Sequence, residues 1–534
     1  MNPLNNSTGS ENTSEKLSKE DVLRRLFAPA TNLPESRSDK AIETVSTMNH
    51  RAVTHKQLET MIAGASEQLT KHGVKAGDKV VFYGENSPEL TASILAGWTL
   101  SAMVVLVDFR APRADVLAIC KKLGAKHLVT SKNLYKSFAP ETLRFSDEGI
   151  EVLEVSSIAD AKGTTSETNF DINTLDLEAP AFTILTSGTT GAPKVSVHTL
   201  GSLVMNIRDL AEASGLQAGM TAVTPLPISH IFGLTVLLVT QVLGMKTVLT
   251  SLEPVPFVKA IHKHKPELIA ALPQFYGALL AAPKGYINLS NSKLLLCGGA
   301  PLTVSLADKF EKTFGRQLNN GYGSTESKIV ALNQDGPVLC VGKPVGAVSI
   351  DIVNEQGEVL PEGELGEVRI TSNMLMDGYL NNDEETTKVL RGGQYYTGDL
   401  GRIEGGNLFV VGRKSDRIIV EGSVVHAGEI EELLRENPAV REVAVTGEPD
   451  EERGEIVKAV VVIMDDEVAQ KLKSKDENQV RAAKQQLEDE FNGYCKEHLS
   501  RYQCPTKWEF LGPHDSLPKT LAGKINKKKL SEAS

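Results

Sequence analysis

Cysteine is scarce and unpaired: the five residues Cys120, Cys297, Cys340, Cys495 and Cys504 are scattered with no metal-type spacing. That argues against a disulfide framework or a zinc site and makes a reducing, cytoplasmic setting the expectation. Positive charge is also short. Lys and Arg total 57 against 68 Asp and Glu, a formal net charge of -11. A general nucleic-acid binder is excluded on that count, because a phosphate backbone attracts clustered bases. The one strongly basic run, residues 524–529, lies near the end of the sequence. Long hydrophobic runs are missing too. Residues 91–107 and 231–245 are uncharged, yet each is shorter than the ~20 residues a membrane span requires and is broken by Gly. Each is expected to be a buried helix followed by a strand. The first residues have no apolar core of signal-peptide kind, and the final Glu532-Ala533-Ser534 is not the peroxisomal tripeptide.

What is present suffices for a large core. Apolar residues make up 41% of 534 positions, too many residues for one ordinary domain. Residues 1–20, rich in Ser, Asn, Thr and Glu, read as a disordered tail. Thr54 and Gln57 form a capping-box pattern, after which Leu58, Met61, Ile62, Ala65 and Leu69 share one helical face. Lys79 to Tyr83 reads as a buried strand. Helix and short apolar strand then alternate to about residue 350, which predicts an α/β fold of parallel sheets covered by helices. Residues 349–413 change to short strands between Gly, Pro and Asn turns, an antiparallel β subdomain. A small α+β unit follows, with Val480, Leu487, Phe491 and Tyr494 on one face of a long polar helix.

The most informative stretch is Thr183-Ile184-Leu185-Thr186-Ser187-Gly188-Thr189-Thr190-Gly191-Ala192-Pro193-Lys194. An apolar strand runs into small residues whose backbone N–H groups can close on phosphate oxygens, with hydroxyls and a Lys charge alongside. Its spacing is not that of a P-loop NTPase.

This segment resembles the signature loop of the adenylate-forming superfamily, which includes acyl- and aryl-CoA synthetases, peptide-synthetase adenylation domains and firefly luciferase. Four further matches follow in order: Gly321-Tyr322-Gly323-Ser324-Thr325-Glu326, Tyr396-Thr397-Gly398-Asp399, Gly412-Arg413 with Glu429-Ile430-Glu431, and Pro518-Lys519-Thr520 with Gly523-Lys524-Ile525. The look is closest to the acid–CoA ligases. The resemblance implies an N-terminal domain over residues 21–411, a hinge over 412–416 and a mobile C-terminal domain over 417–534. It also implies the chemistry: a small carboxylic acid attacks ATP, pyrophosphate leaves, and the acyl group passes to the thiol of CoA or of a carrier-protein phosphopantetheine.

Site roles are carried over on the same ground. Thr186, Ser187, Gly188, Thr189, Thr190 and Gly191 would wrap the departing phosphates with Lys194 nearby. Glu326 would hold Mg²⁺, and Thr325 would donate to the α-phosphate. Asp399 would accept the ribose hydroxyls, with Arg413 reaching ribose or phosphate. Adenine would lie between the Gly298-Gly299-Ala300 segment and Tyr322, with Gly323 adjoining. Lys524 would bridge the attacking carboxylate and the α-phosphate. His230, either a gate or a packing residue, would line the acyl pocket with Phe232, Gly233, Gln274 and Phe275. Ser415 or Asp416 would be the pivot.

Val195, Ala427 and the segment 471–478 depart from the family pattern without removing a charged catalytic group. Alternatives of other kinds are a carrier-protein loading enzyme and a homologue that binds nucleotide without chemistry. A monomer or homodimer is expected, with no nucleic-acid partner and no membrane span.

Overall fold

The computed structural model describes residues 17–534 except 35–36, 38, 46–49, 132–133, 135–141, 156–170, 187–193, 520–524 and 533–534. Thr54 caps the helix His55–Lys71 as its sequence predicts. Its hydroxyl accepts from the Gln57 N–H at 3.1 Å, and the Gln57 side chain accepts from the Thr54 N–H at 2.8 Å. Leu58, Ile62, Ala65 and Leu69 are almost wholly buried, since positions three and four apart lie on one face. The two apolar runs divide as expected. The first ends the helix Pro88–Thr99 and forms the strand Met103–Val107; the second forms the helix Ile231–Val242 and leads into the strand Lys246–Thr250. Both strands sit inside parallel sheets, where covering on both faces demands continuous apolar sequence. Among the described residues no helix is long and apolar enough to cross a membrane.

One seven-stranded sheet runs Gly378–Tyr379, Lys194–Thr199, Pro180–Thr186, Met103–Val107, Lys79–Tyr83, His127–Thr130, Glu151–Glu154. A nine-stranded sheet contains Asn319–Ser324, Leu294–Cys297, Leu268–Ala271, Thr221–Thr224 and Lys246–Thr250 as neighbours. A third, antiparallel sheet carries Gly366–Thr371, Gln394–Glu404 and Asn407–Arg413. The C-terminal domain builds its own sheet around Val440–Asp450 and Gly454–Ile463, covered by the helices Ala427–Glu436 and Glu477–His498.

One expectation is corrected. Of the tail expected over residues 1–20, residues 1–16 lie outside the described residues, and the rest is not tail, because Ser18 and Asp21 form a capping box on the helix Lys19–Phe27. Val22, Leu23, Leu26 and Phe27 are buried, and that apolar stripe outweighs the polar composition of the residues before it.

Candidate active site

The strands Pro180–Thr186 and Lys194–Thr199 form a hairpin whose last pair is Thr186 with Lys194. In sequence, the small-residue segment joins these two strands. Ser187, Gly188, Thr189, Thr190 and Gly191 lie outside the described residues, as does Lys524. Val195 needs no special backbone: it is extended, buried, and pairs with Leu185. The Lys194 ammonium pairs with Glu385 and sits 4.9 Å from the centre of the Tyr379 ring. That same Tyr379 hydroxyl donates to Glu326 Oε1 at 2.7 Å. Burial, and then the Glu326 charge, push the Tyr379 phenol well above its ordinary value, so it stays a donor.

Glu326 stands on a tight turn between two antiparallel strands, closed where Ser324 pairs with Lys328. Thr325 occupies the same turn. Inside it Ser324 N–H donates to Ser327 Oγ at 3.1 Å. Gly323 has to be glycine, because a Cβ there would lie 1.9 Å from the Lys328 carbonyl oxygen. A second tie comes from Met376, whose N–H donates to the Glu326 carbonyl at 2.7 Å.

Asp399 lies across from Arg413 in the strand pair Gln394–Glu404 with Asn407–Arg413. Its Oδ1 is 3.1 Å from Arg413 Nε, and its Oδ2 accepts from the Tyr322 hydroxyl at 2.7 Å. Burial works against the Arg413 charge, but Asp399, Tyr395, Asp416 and Glu326 together outweigh it and raise the guanidinium further. The approach to Asp399 is set by Gly398, at φ 71°, a left-handed conformation that favours glycine. Gly398 N–H donates to Glu367 Oε1 at 3.1 Å, and the other Glu367 oxygen pairs with Lys414 at 3.1 Å. The short turn Lys414–Asp416 follows, with Ser415 Oγ donating to Asp416 Oδ1 at 3.0 Å.

Gly298, Gly299 and Ala300 follow the strand Leu294–Cys297 at its C-terminal end, where parallel sheets gather ligands. The Phe232 ring covers this segment: Cβ positions built on Gly298 and Gly299 would come within 3.3 and 3.7 Å of it. His230 is not a core histidine. Its Nε2 lies 2.7 Å from Asp108 Oδ2, and Arg110 grips both oxygens of that carboxylate at 2.8 and 2.6 Å. Burial opposes the charge on Asp108, but hydrogen bonds from Arg110 and His230 hold the carboxyl well below its ordinary range.

Three expected pocket residues have the following surroundings. Phe275 is 1% exposed and meets Phe257 edge-on at 5.2 Å, inside the second hydrophobic core. On the helix Pro273–Leu280 it faces inward with Tyr276 and Leu279, while Gln274 is exposed. Gly233 is buried, and a Cβ there would lie 2.2 Å from the Pro227 carbonyl oxygen. Its role is close packing.

Tyr379, Glu385, Asp108 and Arg110 are site residues that sequence reasoning missed. Asp108 and Arg110 had a signal, since they directly follow the C-terminal end of the parallel strand Met103–Val107. Tyr379 had only its place after Gly378 in a turn-rich stretch.

Residues 34–380 match the family model for an AMP-binding enzyme, and 429–524 match that for the AMP-binding enzyme C-terminal domain. A long-chain-fatty-acid–CoA ligase of Bacillus subtilis is 34% identical over 366 residues, covering 65% of this chain and 60% of its own. A feruloyl-CoA synthase of an Amycolatopsis species is 28% identical over 485 residues, covering 89% and 93%. The crystal structure of ATP-bound MatB from Rhodopseudomonas palustris superposes with a TM-score of 0.82 at 25% identity, covering 96% and 98%. Motif order, site geometry and these likenesses agree: the chain belongs to the AMP-binding enzyme family, the adenylate-forming enzymes.

Proposed function

We propose that this AMP-forming acid–thiol ligase joins an apolar fatty or aryl acid to the thiol of free CoA. The observation that carries the nucleotide half is the chain Lys194, Tyr379, Glu326, which brings the phosphate-loop stem and the turn carboxylate side by side. In this reading the loop and Lys194 hold the leaving pyrophosphate. Asp399 and Arg413 hold the ribose, and Thr325 steadies the α-phosphate. Lys524 arrives with the C-terminal domain to neutralise charge between the two anionic reactants.

Glu326 fits Mg²⁺. Among the described residues no group of three or more His, Cys, Asp or Glu side chains could hold a metal. An ion held by one carboxylate and the substrate's phosphates is the usual Mg²⁺ arrangement. When bound, it would offset charge on the phosphate oxygens.

The apolar acid is supported by the Phe232 ring, which lies over Gly298 and Gly299. Free CoA as acceptor is supported by the names of the relatives. Transfer requires a second arrangement, reached by rotation about residues 412–416.

The test is acid-dependent pyrophosphate and AMP release, measured over a panel of fatty and aryl acids with and without CoA. Release with apolar acids and CoA-dependent thioester formation are expected. Thioester only on a phosphopantetheinylated carrier would replace CoA as the acceptor, and no release with any acid would end the reading.

A further inference from the structure

Lys328 is 0% exposed, two residues past Glu326, and belongs to none of the roles above. Its backbone is left-handed at φ 61°, strained for a residue with a Cβ. A buried cation on a strained backbone persists only if its surroundings hold it firmly. They do so from several sides. Nζ donates to the Met374 carbonyl at 2.5 Å and lies 3.1 Å from His198 Nδ1. The tautomer of His198 follows from the next links. Ser196 spends its hydroxyl proton on the Ile184 carbonyl at 3.0 Å, so it must accept from His198 Nε2–H, also at 3.0 Å. Nδ1 is then the acceptor for Lys328. Burial, with the Lys328 charge beside it, keeps His198 neutral.

Ile184 and Ser196 are paired across the hairpin, two residues below Thr186 and Lys194 on each strand. Met374 begins the segment whose Met376 and Tyr379 both bind Glu326. The Lys328 backbone itself closes the Glu326 turn. One buried amine therefore reaches both strands of the phosphate-loop stem, the Glu326 turn and the strap that orients the Glu326 carboxylate. We infer that Lys328 is a positioning residue for the adenylation step, fixing the Glu326 carboxylate in register with the phosphate loop through Met374 and the His198–Ser196–Ile184 chain. This inference rests on the adenylation reading.

The experiment is Lys328→Met, which keeps the stem length and removes the donors. Acid-dependent pyrophosphate release is measured against Mg²⁺ and ATP, and thioester formation from supplied acyl-AMP is measured separately. The variant is expected to need at least tenfold more Mg²⁺ or ATP for half-maximal adenylation, and to keep transfer from acyl-AMP within about twofold. A purely structural role would lower both half-reactions together, and that result overturns the inference. So does a Mg²⁺ and ATP dependence equal to that of the unaltered protein. Should Lys328→Met fail to fold, Ser196→Ala cuts the chain without touching a charge and is expected to shift the same dependence by a smaller factor; an unchanged dependence overturns the inference. Failure of the unaltered protein to release pyrophosphate with any acid would instead sink the adenylation reading, so the two failures are distinguishable.

Discussion

A lysine that acts only while charge builds between two anions should matter to one half-reaction and not the other. Lys524→Ala is expected to lower acyl-AMP formation by about 10²–10³-fold, the usual loss for a preorganised charge-stabilising donor. Transfer from supplied acyl-AMP should stay largely intact, and single-turnover assays of each half-reaction check this. Tyr379→Phe removes one hydrogen bond to Glu326 while keeping the ring beside Lys194. A hydrogen bond to a charged group contributes about 1.5–3 kcal/mol, so the Mg²⁺ concentration for half-maximal adenylation should rise by roughly tenfold or more. The melting temperature should hardly move, because the ring stays packed. A fall in stability with unchanged Mg²⁺ dependence would show that the hydroxyl serves the fold instead.

Among elements, the short turn Lys414–Asp416 and the helix Pro273–Leu280 behave differently. Glu367 ties the turn to the Asp399 approach, and Lys527 reaches Asp416 at 3.4 Å and Glu431 at 2.8 Å from the C-terminal side. Proline at Ser415 or Asp416 restricts φ where a pivot must change it, so the two half-reactions should slow unequally. Equal slowing would mean misfolding. Phe275→Ala is a core deletion, expected to cost about 3–5 kcal/mol in denaturant unfolding. It should leave the acid preference of the folded fraction unchanged. A changed preference would return Phe275 to the pocket. Sequence pattern alone set Gln274 and Phe275 side by side; a 100° step around the helix sends one to solvent and the other against Phe257.

Across the whole molecule, buried Lys328 makes stability depend on pH. Burial lowers its ammonium from an ordinary value of 10.5 to about 7, with Asp377 partly opposing the shift. Between those values the unfolded chain binds more protons, so this group's contribution to stability rises with pH. The cost is full below about pH 7 and relieved toward pH 10. Melting temperatures taken from pH 7 to 9 should show a rising component that Lys328→Met removes. A variant with the same slope would mean the charge is not buried in solution.

Much of this was open to a reader of the sequence. Period and capping residues set the helix His55–Lys71, uncharged runs set the inner strands, and five motifs in order set the family, because each is a local property of neighbouring residues. The candidate site divides differently. Glu326 and Asp399 stand in motifs, but Tyr379 reaches Glu326 from 53 positions away, Asp108 reaches His230 from 122, Lys328 reaches His198 from 130 and Glu385 reaches Lys194 from 191. Asp108 is marked by its place at a strand's C-terminal end, but no local pattern marks the other partners, since their chemistry comes from burial and proximity that only the packed sheets supply. Sequence determined which groups could do chemistry; tertiary structure decided what holds each one in place.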